Sequence, residues 1–99
     1  MAEEGTLIRR VVVEGYVQGV GYREFTRRAA MRLNVSGWVR NRPDGAVEAL
    51  LRGAPSDVEA LIGEMRSGPR PAEVTALTFI PADETDIAWD TSFMIRPSF

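Results

Sequence analysis

Two features of the chain have residue types and spacing suited to chemistry, one pointing to an anion and the other to a held water. The first is the heptad Gly15-Tyr16-Val17-Gln18-Gly19-Val20-Gly21, with three glycines in seven positions, followed at once by Tyr22 and Arg23. So many glycines exclude the interior of a helix or strand and leave a shaped loop. If that loop delivers Gly19 to Arg23 to the start of a helix, several unpaired N–H groups and the positive end of the helix dipole aim at one point. Arg23 is then a cation at the wrong end of the dipole, a misfit of roughly 0.3–1 kcal/mol that a bound phosphate would turn into a chelate of N–H groups and planar guanidinium. The bland alternatives are a tight turn that binds nothing, and an Arg23 paired with Glu24, with the neighbours of Arg27, or with the turn at Asp44.

The second feature is Asn41, an asparagine that ends a strand-like segment. A carboxamide both donates and accepts but takes no proton, so it can hold a water without acting as a base. Its other available role is to cap the turn Arg42-Pro43-Asp44-Gly45.

The rest of the inventory narrows what these residues can do. In 99 residues there are 12 arginines and 14 carboxylates but no lysine, histidine or cysteine. Disulfides, thiolate nucleophiles, cysteine or histidine metal ligands, Schiff bases and imidazole bases are therefore all excluded. Any catalysis must use arginine, carboxylates, amides, hydroxyls and backbone N–H groups. A net charge of −2 gives no general attraction for nucleic acid or anionic membrane. Glu3 and Glu4 stand where a signal peptide would be basic, and no apolar run approaches the roughly 20 residues of a membrane span. The expectation is one domain over residues 1–99, cytoplasmic and, from its size, monomeric.

Elements that would position the two features can be read along the chain. LIRRVVV, from Leu7 to Val13, is β-branched and reads as a strand ending at Gly15. Tyr22, Phe25, Ala29 and Leu33 form an apolar stripe that predicts a helix from Tyr22 to Leu33, with Asn34 as a left-handed terminator. Ser36–Asn41 and Gly45–Arg52 read as a hairpin around Pro43 and Asp44, with Asn41 on the opposite face from Trp38 and Arg40. A second helix opens at Pro55-Ser56-Asp57, where Ser56 and Glu59 match a capping box and Val58, Leu61, Ile62 and Met65 form the buried stripe. Glu73–Pro81 and Ser92–Arg96 are the remaining strands, joined by an acidic connection holding Asp83, Glu84, Asp86 and Asp90 that reads as solvated. The order βαββαβ plus a short C-terminal strand is α+β, a ferredoxin-like split βαβ sandwich, with an antiparallel sheet and both helices on one face. Trp38 is expected to pack in or near the core rather than stack on a base, which leaves RNA binding a weak reading. The arginines other than Arg23 are expected to be surface charge.

Val13-Glu14-Gly15-Tyr16-Val17-Gln18-Gly19-Val20-Gly21-Tyr22-Arg23 resembles the first signature of the acylphosphatase family, and Gly37-Trp38-Val39-Arg40-Asn41 with Pro43-Asp44-Gly45-Ala46-Val47-Glu48 resembles the second. Gly68-Pro69, Ala72, Val74 and Phe93-Met94-Ile95-Arg96 continue the likeness, which covers nearly the whole chain. Asn34 stands where the family has glycine, and asparagine tolerates that conformation. The resemblance implies hydrolysis of the carboxyl–phosphate anhydride of a small-molecule acyl phosphate to a carboxylate and inorganic phosphate, with no cofactor and no metal. It implies that Arg23 and the backbone of Gln18, Gly19, Val20, Gly21 and Tyr22 bind the phosphoryl group, and that Asn41 orients the attacking water. The alternative is a non-catalytic phosphate or acyl-phosphate binding module, or a carbamoyl-phosphate-handling relative. The intact Arg23/Asn41 pair, the domain-sized length and Met1 favour a standalone enzyme.

Overall fold

The computed structural model describes residues 5–82 and 92–97. Strand β1 (Leu7–Tyr16) is followed by α1 (Tyr22–Arg32), β2 (Ser36–Asn41), β3 (Val47–Gly53), α2 (Pro55–Ser67), β4 (Glu73–Ile80) and β5 (Phe93–Ile95). This is the expected order, and the acidic connection at Asp83, Glu84, Asp86 and Asp90 lies outside the described residues. The five strands are arranged β4-β1-β3-β2-β5. β1, β2, β3 and β4 pair antiparallel, while β5 joins β2 in parallel, so the complete sheet is mixed.

Pleat alternation decides which side chains meet the helices. Val11 and Val13 of β1, Val39 of β2, Val47, Ala49 and Leu51 of β3 and Phe93 of β5 belong to one buried cluster with Tyr22, Ala29 and Ala30 of α1 and Val58, Leu61, Ile62 and Met65 of α2. The α2 stripe is the expected one. In α1 the buried face is Tyr22, Thr26, Ala29 and Ala30; Phe25 is only half-buried, while Leu33, the C-cap, is half-buried and packs against the cluster. Thr26 is tolerated there because its hydroxyl donates to the Tyr22 carbonyl one turn back, at 3.0 Å.

The capping-box expectation for α2 is corrected. The N-cap is Ala54, in extended conformation and without a side-chain cap, and Pro55 occupies the first turn. Proline's fixed φ and missing N–H suit that position, so the helix starts ahead of Ser56, which is exposed. Asn34 does terminate α1, with φ 61°.

Trp38 is buried, but not among the helix-side core residues. It lies on the other face of the sheet with the guanidinium carbons of Arg40, Arg96 and Arg10 at 4.8, 5.0 and 5.8 Å from its ring. Among the described residues, no helix is long and apolar enough to cross a membrane.

Candidate active site

β1 sits between β3 and β4 and leads directly into the glycine loop. At Glu14/Gly15 its pairing with β4 shifts register, and a Cβ on Gly15 would collide with the Glu73 carbonyl. Only glycine lets the strand bend there against its neighbour. Val17 is then buried and Val20 packs partly against the core, anchoring the loop at two points. Gly21 is the N-cap of α1, at φ 80° and ψ 18°, with no side-chain cap. The left-handed geometry favours glycine and lets the chain turn sharply into the helix. The first backbone bond of α1 runs from Phe25 N–H to the Gly21 carbonyl at 3.0 Å. Among the described residues, no N–H from Gly19 to Glu24 donates to a protein backbone acceptor.

Those donors border a cavity of about 200 Å³, lined by Val17, Gly19, Gly21, Tyr22, Arg23, Glu24, Asn41 and Ile95. Of the residues expected to bind phosphoryl, Gly19, Gly21, Tyr22 and Arg23 line it together with Asn41. Gln18 and Val20 do not. Val20 is turned to the core, and Gln18 Nε2 donates to the carbonyls of Arg42 and Ala46, at 2.9 Å each. That side chain ties the loop to the β2–β3 turn immediately after Asn41, so it links the two halves of the site.

The competing roles for Arg23 and Asn41 are occupied by other residues. Glu24 accepts from Arg27 Nε and Nη2 at 2.9 and 2.6 Å and from Arg28 Nε at 3.0 Å. Asp44 pairs with Arg42 at 3.1 Å. Arg23 has no ion-pair partner among the described residues. The turn is closed by Arg42 N–H to the Ala46 carbonyl at 2.9 Å, Gly45 N–H to the Arg42 carbonyl at 3.1 Å and Ala46 N–H to Asp44 Oδ1 at 3.0 Å. The Asn41 carboxamide takes no part in this closure and makes no hydrogen bond among the described residues.

Electrostatics reinforce the anion preference. The Arg27 and Arg28 hydrogen bonds hold the Glu24 carboxyl down at about 2, so the one acid that lines the cavity among the described residues is already compensated. Tyr22 donates its hydroxyl to the Met65 carbonyl at 2.7 Å, and burial raises its phenol well above the ordinary value. Tyr22 is therefore a neutral anchor between α1 and the end of α2. Val17, Glu24 and Ile95 were not foreseen as lining residues. Glu24 could have been, as a neighbour of Arg23 in the first helical turn, whereas Ile95 reaches the site only because β5 pairs beside β2.

Comparison with known proteins gives one consistent result. The family model described as Acylphosphatase matches residues 9–95. A curated acylphosphatase of Nitrobacter hamburgensis is 44% identical over 91 residues, covering 92% of this chain and 87% of the relative. Among solved structures, an acylphosphatase from Coxiella burnetii superposes with a TM-score of 0.82 at 30% identity, covering 92% of this chain and 93% of that one. Full-length HypF in its phosphate- and nucleotide-bound form gives a TM-score of 0.83 at 25% identity, covering 95% of this chain but 12% of that one.

Proposed function

The chain belongs to the acylphosphatase family, and from that premise we propose that it hydrolyses small-molecule acyl phosphates at the cavity shared by Arg23 and Asn41. One observation carries the reading: the guanidinium and the carboxamide, each without a side-chain partner among the described residues, line the same cavity beside an uncapped helix N-terminus. A module that only bound phosphate would need the first and not the second.

In the proposed reaction the phosphoryl oxygens accept hydrogen bonds from the N–H groups of the Gln18–Tyr22 loop that face the cavity, those of Gly19, Gly21 and Tyr22, and from the Arg23 guanidinium. Preorganised donors of this kind stabilise the charge that builds on the equatorial oxygens during transfer. The Asn41 Oδ1 accepts a hydrogen bond from a water and points its oxygen at phosphorus, in line with the carboxylate leaving group. The P–O bond to the carboxylate breaks as the bond to water forms. One water proton passes to a non-bridging oxygen of the substrate's own phosphate, giving a carboxylate and dihydrogen phosphate. A carboxylate is a good leaving group, so positioning and charge stabilisation suffice and no protein base is required. N–H groups and a guanidinium at the phosphoryl oxygens supply the positive charge that a metal ion would otherwise bring. The reaction is accordingly metal-independent.

Turnover tests the reading. Benzoyl phosphate should be hydrolysed at a rate unaffected by EDTA and inhibited competitively by inorganic phosphate, while p-nitrophenyl phosphate, a phosphomonoester, should not be turned over. Equal activity on both, or an EDTA-treated protein that magnesium revives, would refute it.

A further inference from the structure

The face of the sheet away from the helices carries a second concentration of charge, organised by one carboxylate. Glu48 is 2% exposed. Its Oε2 accepts from Arg10 Nε at 2.6 Å, its Oε1 accepts from Arg40 Nη2 at 3.1 Å, and Arg42 Nη1 lies 3.9 Å from Oε1. Arg40 and Arg42 are the two chain neighbours of Asn41. Strand alternation sends Arg40, with Glu48, to the face opposite the one Asn41 occupies. Across the ladder Arg40 faces Glu48 and Asn41 faces Val47, the last pair before the chain leaves the sheet for its turn.

A buried ion pair contributes little net stability, because desolvation offsets most of the attraction, and its best-attested use is to fix a particular geometry. The geometry available to fix here is that of Asn41. It is the last ladder residue of β2, and the bonds that close the turn after it hold the main chain without touching its carboxamide. One carboxylate on the next strand bonds Arg40 on one side of Asn41 and lies 3.9 Å from Arg42 on the other, where Asp44 is the closer partner at 3.1 Å.

We propose that Glu48 is a positioning residue for Asn41: through Arg40 and Arg42 it sets the rotation of the last β2 peptides about the strand axis, and with it the aim of the carboxamide in the cavity. The proposal rests on the reading of Asn41 as the residue that holds water. Arg10 provides an internal control, since it shares the same carboxylate from β1 but flanks no residue of the site.

Because displacement of a reacting group by about 1 Å costs up to roughly 100-fold in rate, Glu48→Gln should lower kcat for benzoyl phosphate about tenfold. The inhibition constant of inorganic phosphate, which reads the loop and Arg23, should stay within about twofold. Introduced into Asn41→Ala, the same change should cost nothing more. Arg10→Met should lower the Tm while leaving kcat in place. If Glu48→Gln does not fold, the double variant Arg40→Gln/Arg42→Gln, which leaves Glu48 paired with Arg10, should show the same split between kcat and phosphate affinity. Undiminished kcat in folded Glu48→Gln, a further loss in the Asn41→Ala background, or an equal loss of kcat in Arg10→Met overturns the proposal. Near-normal turnover by Asn41→Ala itself would instead overturn the water assignment on which it stands.

Discussion

Arg23 and Arg40 are the same residue type at the two ends of adjoining elements, in opposite circumstances. Arg40 is 19% exposed, bonded to the buried Glu48 carboxylate and stacked 4.8 Å over Trp38. Arg23 lines an open cavity, with the nearest acid in sequence, Glu24, already bound to Arg27 and Arg28. On one side of the sheet guanidinium charge is consumed by structure; on the other a guanidinium stands beside unpaired N–H groups. The contrast separates arginines that hold the sheet together from the arginine that would meet an external anion. It also explains how a chain with twelve arginines can confine its proposed phosphoryl chemistry to one of them.

The largest effect should come from breaking the cavity side. Arg23→Gln removes the only cationic side chain on the cavity wall among the described residues and should reduce kcat/KM for benzoyl phosphate by roughly 10³-fold, with inorganic phosphate inhibition lost as well. Asn41→Ala should reduce kcat by about 10²–10³-fold while phosphate inhibits as before, because a residue that aims water does not bind the phosphoryl group. Steady-state kinetics with phosphate as inhibitor distinguishes the two roles. Both variants should keep the wild-type Tm to within a few degrees, since neither side chain has a hydrogen bond to lose among the described residues.

A smaller effect is expected where the two halves of the site are joined. Gln18→Ala deletes two hydrogen bonds to the carbonyls of Arg42 and Ala46. Each carbonyl keeps a backbone donor, so stability should fall by only about 1–2 kcal/mol in chemical denaturation. KM should rise several-fold as the loop loses its tie to the turn that follows Asn41. An unchanged KM would mean that backbone packing alone holds the loop.

The smallest effect concerns Glu24. Its carboxyl is lowered from 4.5 to about 2 by Arg27 and Arg28, so the folded state binds its proton less readily than the unfolded chain does. The associated stabilisation is fully present above about pH 4.5 and is lost as pH falls toward 2. NMR titration of the Glu24 carboxyl should give a midpoint near 2 in wild type and a value near the ordinary glutamate range in Arg27→Met/Arg28→Met. At neutral pH the same double variant frees a carboxylate beside Arg23 and should weaken phosphate inhibition modestly.

Local patterns made much of this architecture legible before any coordinates. Glycine spacing marked the loop, a 3.6-residue stripe marked α2, and a proline–aspartate turn marked the hairpin that presents Asn41. What escaped depends on pairings distant in sequence. Glu48 meets Arg10 across 38 positions and Gln18 meets Arg42 across 24, and neither follows from periodicity without the strand register. Arg10 and Arg40 therefore passed for surface charge, although both bond to a buried carboxylate. Thr26 escaped for another reason: its hydroxyl is satisfied within its own helix, so a polar residue takes the core position that the apolar pattern assigned to Phe25. At α2 the backbone demand of Pro55 outweighed the side-chain capping offered by Ser56.

The central claim is that the cavity grips the phosphoryl end of the substrate and directs water at phosphorus. Hydrolysis of benzoyl phosphate by the wild-type protein in ¹⁸O-labelled water, with EDTA present and the products separated by mass, tests it most directly. The label should appear in inorganic phosphate and not in benzoate; label in the benzoate carboxylate would place the attack at the carbonyl carbon and contradict the account.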